Sequence, residues 1–137
     1  MARHSEEARL QQDFAHYLDG KGLLYTASMA GGMKISRFAA VIKKRMGCKA
    51  GLPDILIFEP RGPYFGMFIE LKAKGGDIDN ANQKHWQREL NRRGYLAIIM
   101  PNTMEYPQSL YWLRDIVESY LAGESVLDGL KYQAQND

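Results

Sequence analysis

Leu10, Phe14, Tyr17 and Leu18 recur at helical spacing, behind Ser5 as a capping residue and Glu6 and Glu7 as first-turn acids, and Gly20 and Gly22 close the stretch. This predicts a helix from about Glu6 to Leu18. Leu23 to Ala27 reads as a short strand and Ala30 to Met33 as a glycine-rich loop. A second helix is expected from Ser36 to Met46, apolar at Phe38, Val41 and Ile42, with Gly47 as its stop. The runs Asp54 to Phe58 and Tyr64 to Lys72 are rich in β-branched and aromatic residues and flank Pro60-Arg61-Gly62-Pro63, the pattern of a hairpin. From Asn80 to Arg93 the periodicity is helical again, with Trp86 and Leu90 on one face and Gly94 as C-terminal cap. Tyr95 to Met100 reads as a buried strand and Thr103 to Leu121 as a last amphipathic helix.

Strands interleaved with helices in this order predict an α/β fold, a mixed β-sheet flanked by helices on both faces. A helical crossover between Lys72 and Tyr95 should make those two strands parallel, and the hairpin partner should run the other way. The length of 137 residues suits a single domain, with a core over about residues 6–121 and a C-terminal tail over 122–137. Trp86, Tyr111, Trp112 and Tyr120 sit at helical spacings that favour core positions over base-stacking ones.

The hairpin concentrates the chemistry. Asp54 opens its first strand and Glu70 lies near the end of its second, each eight residues from Gly62. A symmetric hairpin sets them opposite one another with side-chain roots about 5 Å apart, close enough to share a cation, although a bulge in the loop would shift the register by one. Alternation puts Glu70 and Lys72 on one face and Met67, Ile69 and Leu71 on the other, so one face builds core while the other carries charge. Two adjacent carboxylates resist joint ionisation, which a divalent cation resolves, and oxygen-only ligands favour Mg2+ or Mn2+.

Charge adds a partner to this picture. The net charge of +2 is small, but no acid occurs between Asp19 and Asp54, where Lys21, Lys34, Arg37, Lys43, Lys44, Arg45 and Lys49 all fall. Such a block suits a phosphate backbone, and Lys34, Arg37, Lys43, Lys44, Arg45 and Lys49 are the candidate DNA contacts. The plainer account of Lys43, Lys44 and Arg45 is a solvated helix end favoured by the dipole. The single Cys48 excludes an internal disulfide, and with only His4, His16 and His85 beside it a zinc site has no usual spacing. The charged N-terminus and the absence of a long apolar run predict a soluble, cytoplasmic protein with no membrane partner.

Gly51-Leu-Pro-Asp54 followed by Glu70-Leu-Lys72 resembles the Pro-Asp...Glu-x-Lys motif of the PD-(D/E)xK nuclease superfamily, and within it the VRR-NUC family. Members of that family carry an acid in the first helix, glycines after Glu-x-Lys and a glutamine opening the next helix, and Glu7, Gly75-Gly76 and Gln83 stand in those places. The likeness runs from about Glu7 to Leu121. Small stand-alone members, common in bacteriophage genomes, are also similar in Ala30 to Lys34 and in Gly94-Tyr95, but have Pro-Asn where this chain has Met29-Ala30.

The resemblance implies a restriction-endonuclease-like core and a metal-dependent endonuclease hydrolysing phosphodiester bonds of DNA. It implies selectivity for branched forms such as four-way (Holliday) junctions or flaps, and a homodimer. It assigns metal ligation to Asp54, Glu70 and the Leu71 carbonyl, activation of water to Lys72, a supporting role to Gln83, and a contribution through water or a second cation to Glu7, or to Glu6 if the helix register is off by one. The C-terminal stretch from Trp112 to Tyr132 is the candidate dimer interface. The competing reading from a different class is a non-catalytic DNA-binding protein with a structural metal site. Taken singly, Pro-Asp is a turn, Glu-x-Lys a surface ion pair, Glu7 a residue favouring its helix dipole and Gln83 a first-turn polar residue.

Overall fold

The computed structural model describes residues 3–28 and 35–124. Four helices and four strands alternate as α1 (Arg3–Gly20), β1 (Tyr25–Ala27), α2 (Arg37–Arg45), β2 (Ile55–Ile57), β3 (Met67–Glu70), α3 (Ala81–Arg92), β4 (Leu96–Ile99) and α4 (Gln108–Ala122). The strands form one sheet in the order β1-β2-β3-β4. β1 pairs antiparallel with β2 and β2 with β3, whereas β3 and β4 run parallel, as a crossover through α3 requires. This is the mixed α/β sheet that the hydrophobic pattern predicts.

Alternation divides the sheet into two faces. Ile55, Ile57, Met67, Ile69, Leu71 and Leu96 meet Leu10, Phe14 and Leu18 of α1 and Leu113, Ile116, Val117 and Tyr120 of α4 in the larger core. Phe68 and Ala97 face the other way, onto Leu90 of α3, with Leu56, Trp86 and Tyr95 packed around them. Glu70 and Lys72 share the parity of Phe68, so they emerge on the α3 side, beyond the end of its apolar patch. The larger core anchors the hairpin from behind, and the α3 side carries the charged groups.

The ends of the elements depart from expectation in informative ways. α1 begins at Arg3, so Ser5 lies inside its first turn instead of capping it. α4 begins at Gln108 and not at Thr103, because Pro107 stands at its N-cap and the residue before a proline is biased away from helical conformation. Tyr106 N–H, left without a helical partner, donates to Glu6 Oε1 at 2.9 Å. By contrast Asn80 caps α3 by accepting from Gln83 N, and Gly94 follows α3 with the positive φ of 93° that a chain reversal there needs.

α2 forms where expected, capped by Ser36 Oγ accepting from Ala39 N at 3.1 Å. It packs on neither face of the sheet. None of its residues is buried, and Phe38, Val41, Ile42 and Met46 are all exposed. Of the four aromatics assigned to core, Tyr120 is buried and Trp86 and Trp112 are half-buried, but Tyr111 is 54% exposed. No described helix is long and apolar enough to cross a membrane. Lys34, the Ala30 to Met33 loop and the tail beyond Glu124 lie outside the described residues.

Candidate active site

The hairpin register decides whether Asp54 and Glu70 meet. Ile55 pairs with Ile69, so the next antiparallel step sets Asp54 opposite Glu70, and no bulge intervenes. The two carboxyls face one another closely enough that each opposes ionisation of the other. Asp54 Oδ2 also accepts from the backbone N–H of Leu71 at 2.9 Å, which ties the mouth of β2 to the end of β3. Behind it, Ser28 fixes the backbone of the Pro-Asp step twice. Its N–H donates to Asp54 O at 2.8 Å and its hydroxyl to Pro53 O at 2.6 Å.

Glu70 and Lys72 are both buried, at 5% and 7% exposure, positions where charged side chains are costly unless they answer one another. Burial is the first cause that pushes the Glu70 carboxyl up, to about 9, followed by its hydrogen bond with Asp54 and the Asp54 charge; Lys72 opposes the rise and Glu7 adds to it. Burial and the facing Asp54 therefore favour the protonated form of the Glu70 carboxyl in the cation-free protein. Glu7 is thereby placed within electrostatic reach of Glu70. Glu6 is engaged elsewhere, with Tyr106, so the helix register favours Glu7 as the site acid.

Lys72 Nζ donates to Gln83 Oε1 at 2.7 Å. This joins the strand residue to the first turn of α3, and the intervening turn is pinned by a residue the motif does not contain. Asn102, just past β4, donates from its side chain to Gly76 O at 2.7 Å and accepts from Gly75 N–H through its own carbonyl at 2.8 Å. The sequence pattern begins α3 at Asn80 but gives its side chain no role, and it passes over Ser28 and Asn102. Asn80 carried a readable signal as a capping residue ahead of a helical run; the other two act through backbone groups distant in sequence and had none.

Gly51 has a steric reason. Its φ is +95°, and a Cβ there would stand 2.5 Å from the Asn82 carbonyl carbon, so the loop before Pro53 lies directly against the start of α3. Trp86 Nε1 donates to Ala50 O at 2.9 Å across the same contact. Gly51→Ala should therefore lower stability by about 2 kcal/mol or more, since neither backbone can give way. Urea unfolding checks this, and a midpoint within error of wild type would mean that the contact is loose.

The candidate DNA-contact residues Arg37, Lys43, Lys44, Arg45 and Lys49 are exposed and make no ion pair among the described residues. They lie on α2 and the loop leading to Asp54. No group of three or more His, Cys, Asp or Glu able to hold an ion is found among the described residues. A cation here would rest on Asp54, Glu70 and backbone oxygen such as the Leu71 carbonyl.

The VRR-NUC domain model matches residues 6–102, more than half of the chain. A solved structure described as a VRR_NUC domain protein is 25% identical, with a TM-score of 0.61 over 85% of this chain and 88% of that one. A second, described as a VRR_NUC domain, is similar in fold, at 21% identity and a TM-score of 0.51 over 84% of this chain and 97% of that one. No curated protein matches the chain. Because the family match spans α1 through β4 and takes in Glu7, Asp54, Glu70, Lys72 and Gln83, the chain belongs to the VRR-NUC family of nuclease-type domains.

Proposed function

We propose that this protein is a Mg2+- or Mn2+-dependent DNA endonuclease, selective for branched DNA such as four-way junctions or flaps and acting as a homodimer. The observation that carries the chemical part is the pair of buried Glu70 and half-buried Asp54, side by side on adjacent strands, with Lys72 on the same face. Facing carboxyls that resist joint ionisation suit a site arranged for a cation, and the donor set is all oxygen. Asp54, Glu70 and the Leu71 carbonyl would hold the ion. When bound, it supplies Lewis acidity toward water and offsets charge developing on the phosphate.

The protein's own groups account for the rest. Lys72, held by Gln83, points a fixed ammonium along the charged face, where it can orient the attacking water and steady the pentavalent phosphorus. Gln83 keeps that ammonium from collapsing onto Glu70. Glu7 adds a third acid from α1, suited to a hydrated or second cation. The exposed cations of α2 and Lys49 grip the flanking backbone. A protein that only bound DNA would gain nothing from setting two facing acids beside its basic surface, which weighs against the non-catalytic reading.

Incubation with junction, flap, single-stranded and linear duplex DNA, in Mg2+, Mn2+ or excess EDTA, tests the reading. Cleavage is expected in either metal, strongest on branched forms, and none in EDTA; undiminished cleavage in EDTA would remove the metal from the mechanism. Light scattering during the same work should give the mass of a dimer. Replacing Lys43, Lys44 and Arg45 together with alanine should reduce the dependence of log affinity on log salt by up to about 2–3 units, roughly one per lost phosphate contact. An unchanged slope would return these side chains to a solvated helix face.

A further inference from the structure

On the side of α3 that faces the Gly51 loop lies a cleft of about 420 Å³ lined by Lys49, Ala50, Asn82, His85 and Trp86. We propose that this cleft is a subsite for an unpaired nucleobase of the strand whose backbone crosses the acidic pair. The inference rests on the nuclease reading for its ligand class, and on the following features for its place and chemistry.

The volume falls in the range of about 300–1,000 Å³ typical of clefts that take a small molecule, and is ample for one base with its sugar. Its floor is half of an indole. Trp86 packs inward against the Phe68, Leu90 and Ala97 cluster, and its Nε1–H is committed to Ala50 O, so the ring plane is fixed from two directions. Among the described residues no aromatic ring stacks on its other side. A rigid indole with its only donor already used can recognise a ligand by its face alone, which suits any base and reads no sequence.

The rim supplies the remaining chemistry. Lys49 is exposed and without an ion pair among the described residues, placed to meet the phosphate next to a stacked base, and Asn82 and His85 offer exposed polar edges. The cleft and the acidic pair are joined through rigid connections: Asn82 and Trp86 flank Gln83 on α3, and Ala50-Gly51 leads directly into Pro53-Asp54. A base seated there lies on a strand whose next phosphates run toward Lys72. Bases within a duplex have both faces covered by their neighbours, so the ligand must be unpaired, as in a single strand, a flap or the frayed centre of a junction. Holding Ala50 needs only the indole N–H; it does not explain an open cleft with a cation at its rim.

Trp86 can report on this directly, because the chain has only two tryptophans and Trp112 lies on α4 away from the site. In a Trp112→Phe background, in EDTA so that nothing is cut, three probes of equal phosphate count are titrated: oligothymidylate, a strand of abasic residues, and a blunt duplex, each with binding followed by anisotropy. Oligothymidylate is expected to quench Trp86 and to bind about 5–100-fold more tightly than the abasic strand, the range that stacking of one base supplies. The abasic strand and the duplex are expected to bind without quenching. Lys49→Ala, an exposed change that leaves the indole in place, should weaken oligothymidylate binding and lower its salt slope by about one. Equal affinity for the thymidylate and abasic strands, unaltered Trp86 emission on binding, or no binding of oligothymidylate overturns the subsite. Quenching without cleavage of any DNA in Mg2+ or Mn2+ would instead sink the nuclease reading and leave the subsite standing.

Discussion

Lys72→Ala should lower the rate of DNA cleavage by about 10²–10³-fold or more while leaving DNA affinity within about threefold of wild type. The reason lies in where the ammonium is held. Lys72 is buried at 7% exposure, between the Gln83 amide and the Glu70 carboxyl, and is not among the exposed cations that would meet the phosphate backbone first. A group so placed interacts with charge that develops during reaction more than with the DNA ground state, and only such differential interaction raises the chemical rate. Single-turnover cleavage at saturating enzyme, beside binding in Ca2+ or EDTA, separates the two constants. Near-normal cleavage with greatly reduced affinity would make Lys72 a backbone clamp and overturn the mechanism. Gln83→Ala should fall between, because it frees the lysine without removing its charge.

The second large effect concerns stability and has the opposite sign. Glu70→Gln should abolish cleavage yet make the cation-free protein more stable at neutral and alkaline pH. In the folded protein the Glu70 carboxyl is raised to about 9 by burial and by Asp54, against an ordinary value of 4.5 in the unfolded chain. A raised pKa means that the folded state binds the proton more tightly, so the stability this proton confers is complete below about 4.5 and is lost as pH climbs toward 9. The glutamine amide can donate to Asp54 as the protonated carboxyl does, without a proton to lose. The variant should therefore gain on the order of 2 kcal/mol at pH 8 and lack this decline with pH. Mg2+ or Mn2+ should stabilise wild type increasingly as pH rises and the variant far less. Thermal unfolding from pH 5 to 9 with and without metal gives both curves, and parallel curves for the two proteins would mean that Glu70 is not the group that pays for the site.

Much of this arrangement was legible before any coordinates. Alternation in Tyr64 to Lys72 placed Glu70 and Lys72 together, and equal spacing from Gly62 set Asp54 across from Glu70, because a period of two and a tight turn leave little freedom in a hairpin. Asn80 and Gly94 marked both ends of α3 for local reasons that tertiary packing did not override. Where the sequence misled, the cause was a long-range partner or a missing one. Glu6 and Glu7 are equivalent as first-turn acids, and only the Tyr106 N–H, about a hundred residues away in the chain, distinguishes them. α2 has the amphipathic pattern of a packed helix, yet none of its residues is buried, so periodicity established the helix without establishing what covers it. Gly51 stands in the motif, but the physical reason for it, the Asn82 backbone against it, emerges only in the fold.

The contact between Glu6 and Tyr106 carries a further consequence, in the order of events during synthesis. Glu7 sits in α1, which leaves the ribosome before the strands, but the turn that carries it is fastened by a backbone N–H that emerges only after the whole sheet has been made. The Gly75-Gly76 turn, which brings Gln83 back to Lys72, likewise waits for Asn102. Closing such distant pairs is slow compared with forming helices or a hairpin, and it comes last. The stretch between Glu70 and Tyr106 must therefore be made before either fastening can close, and the surroundings of Asp54 and Glu70 are completed only then.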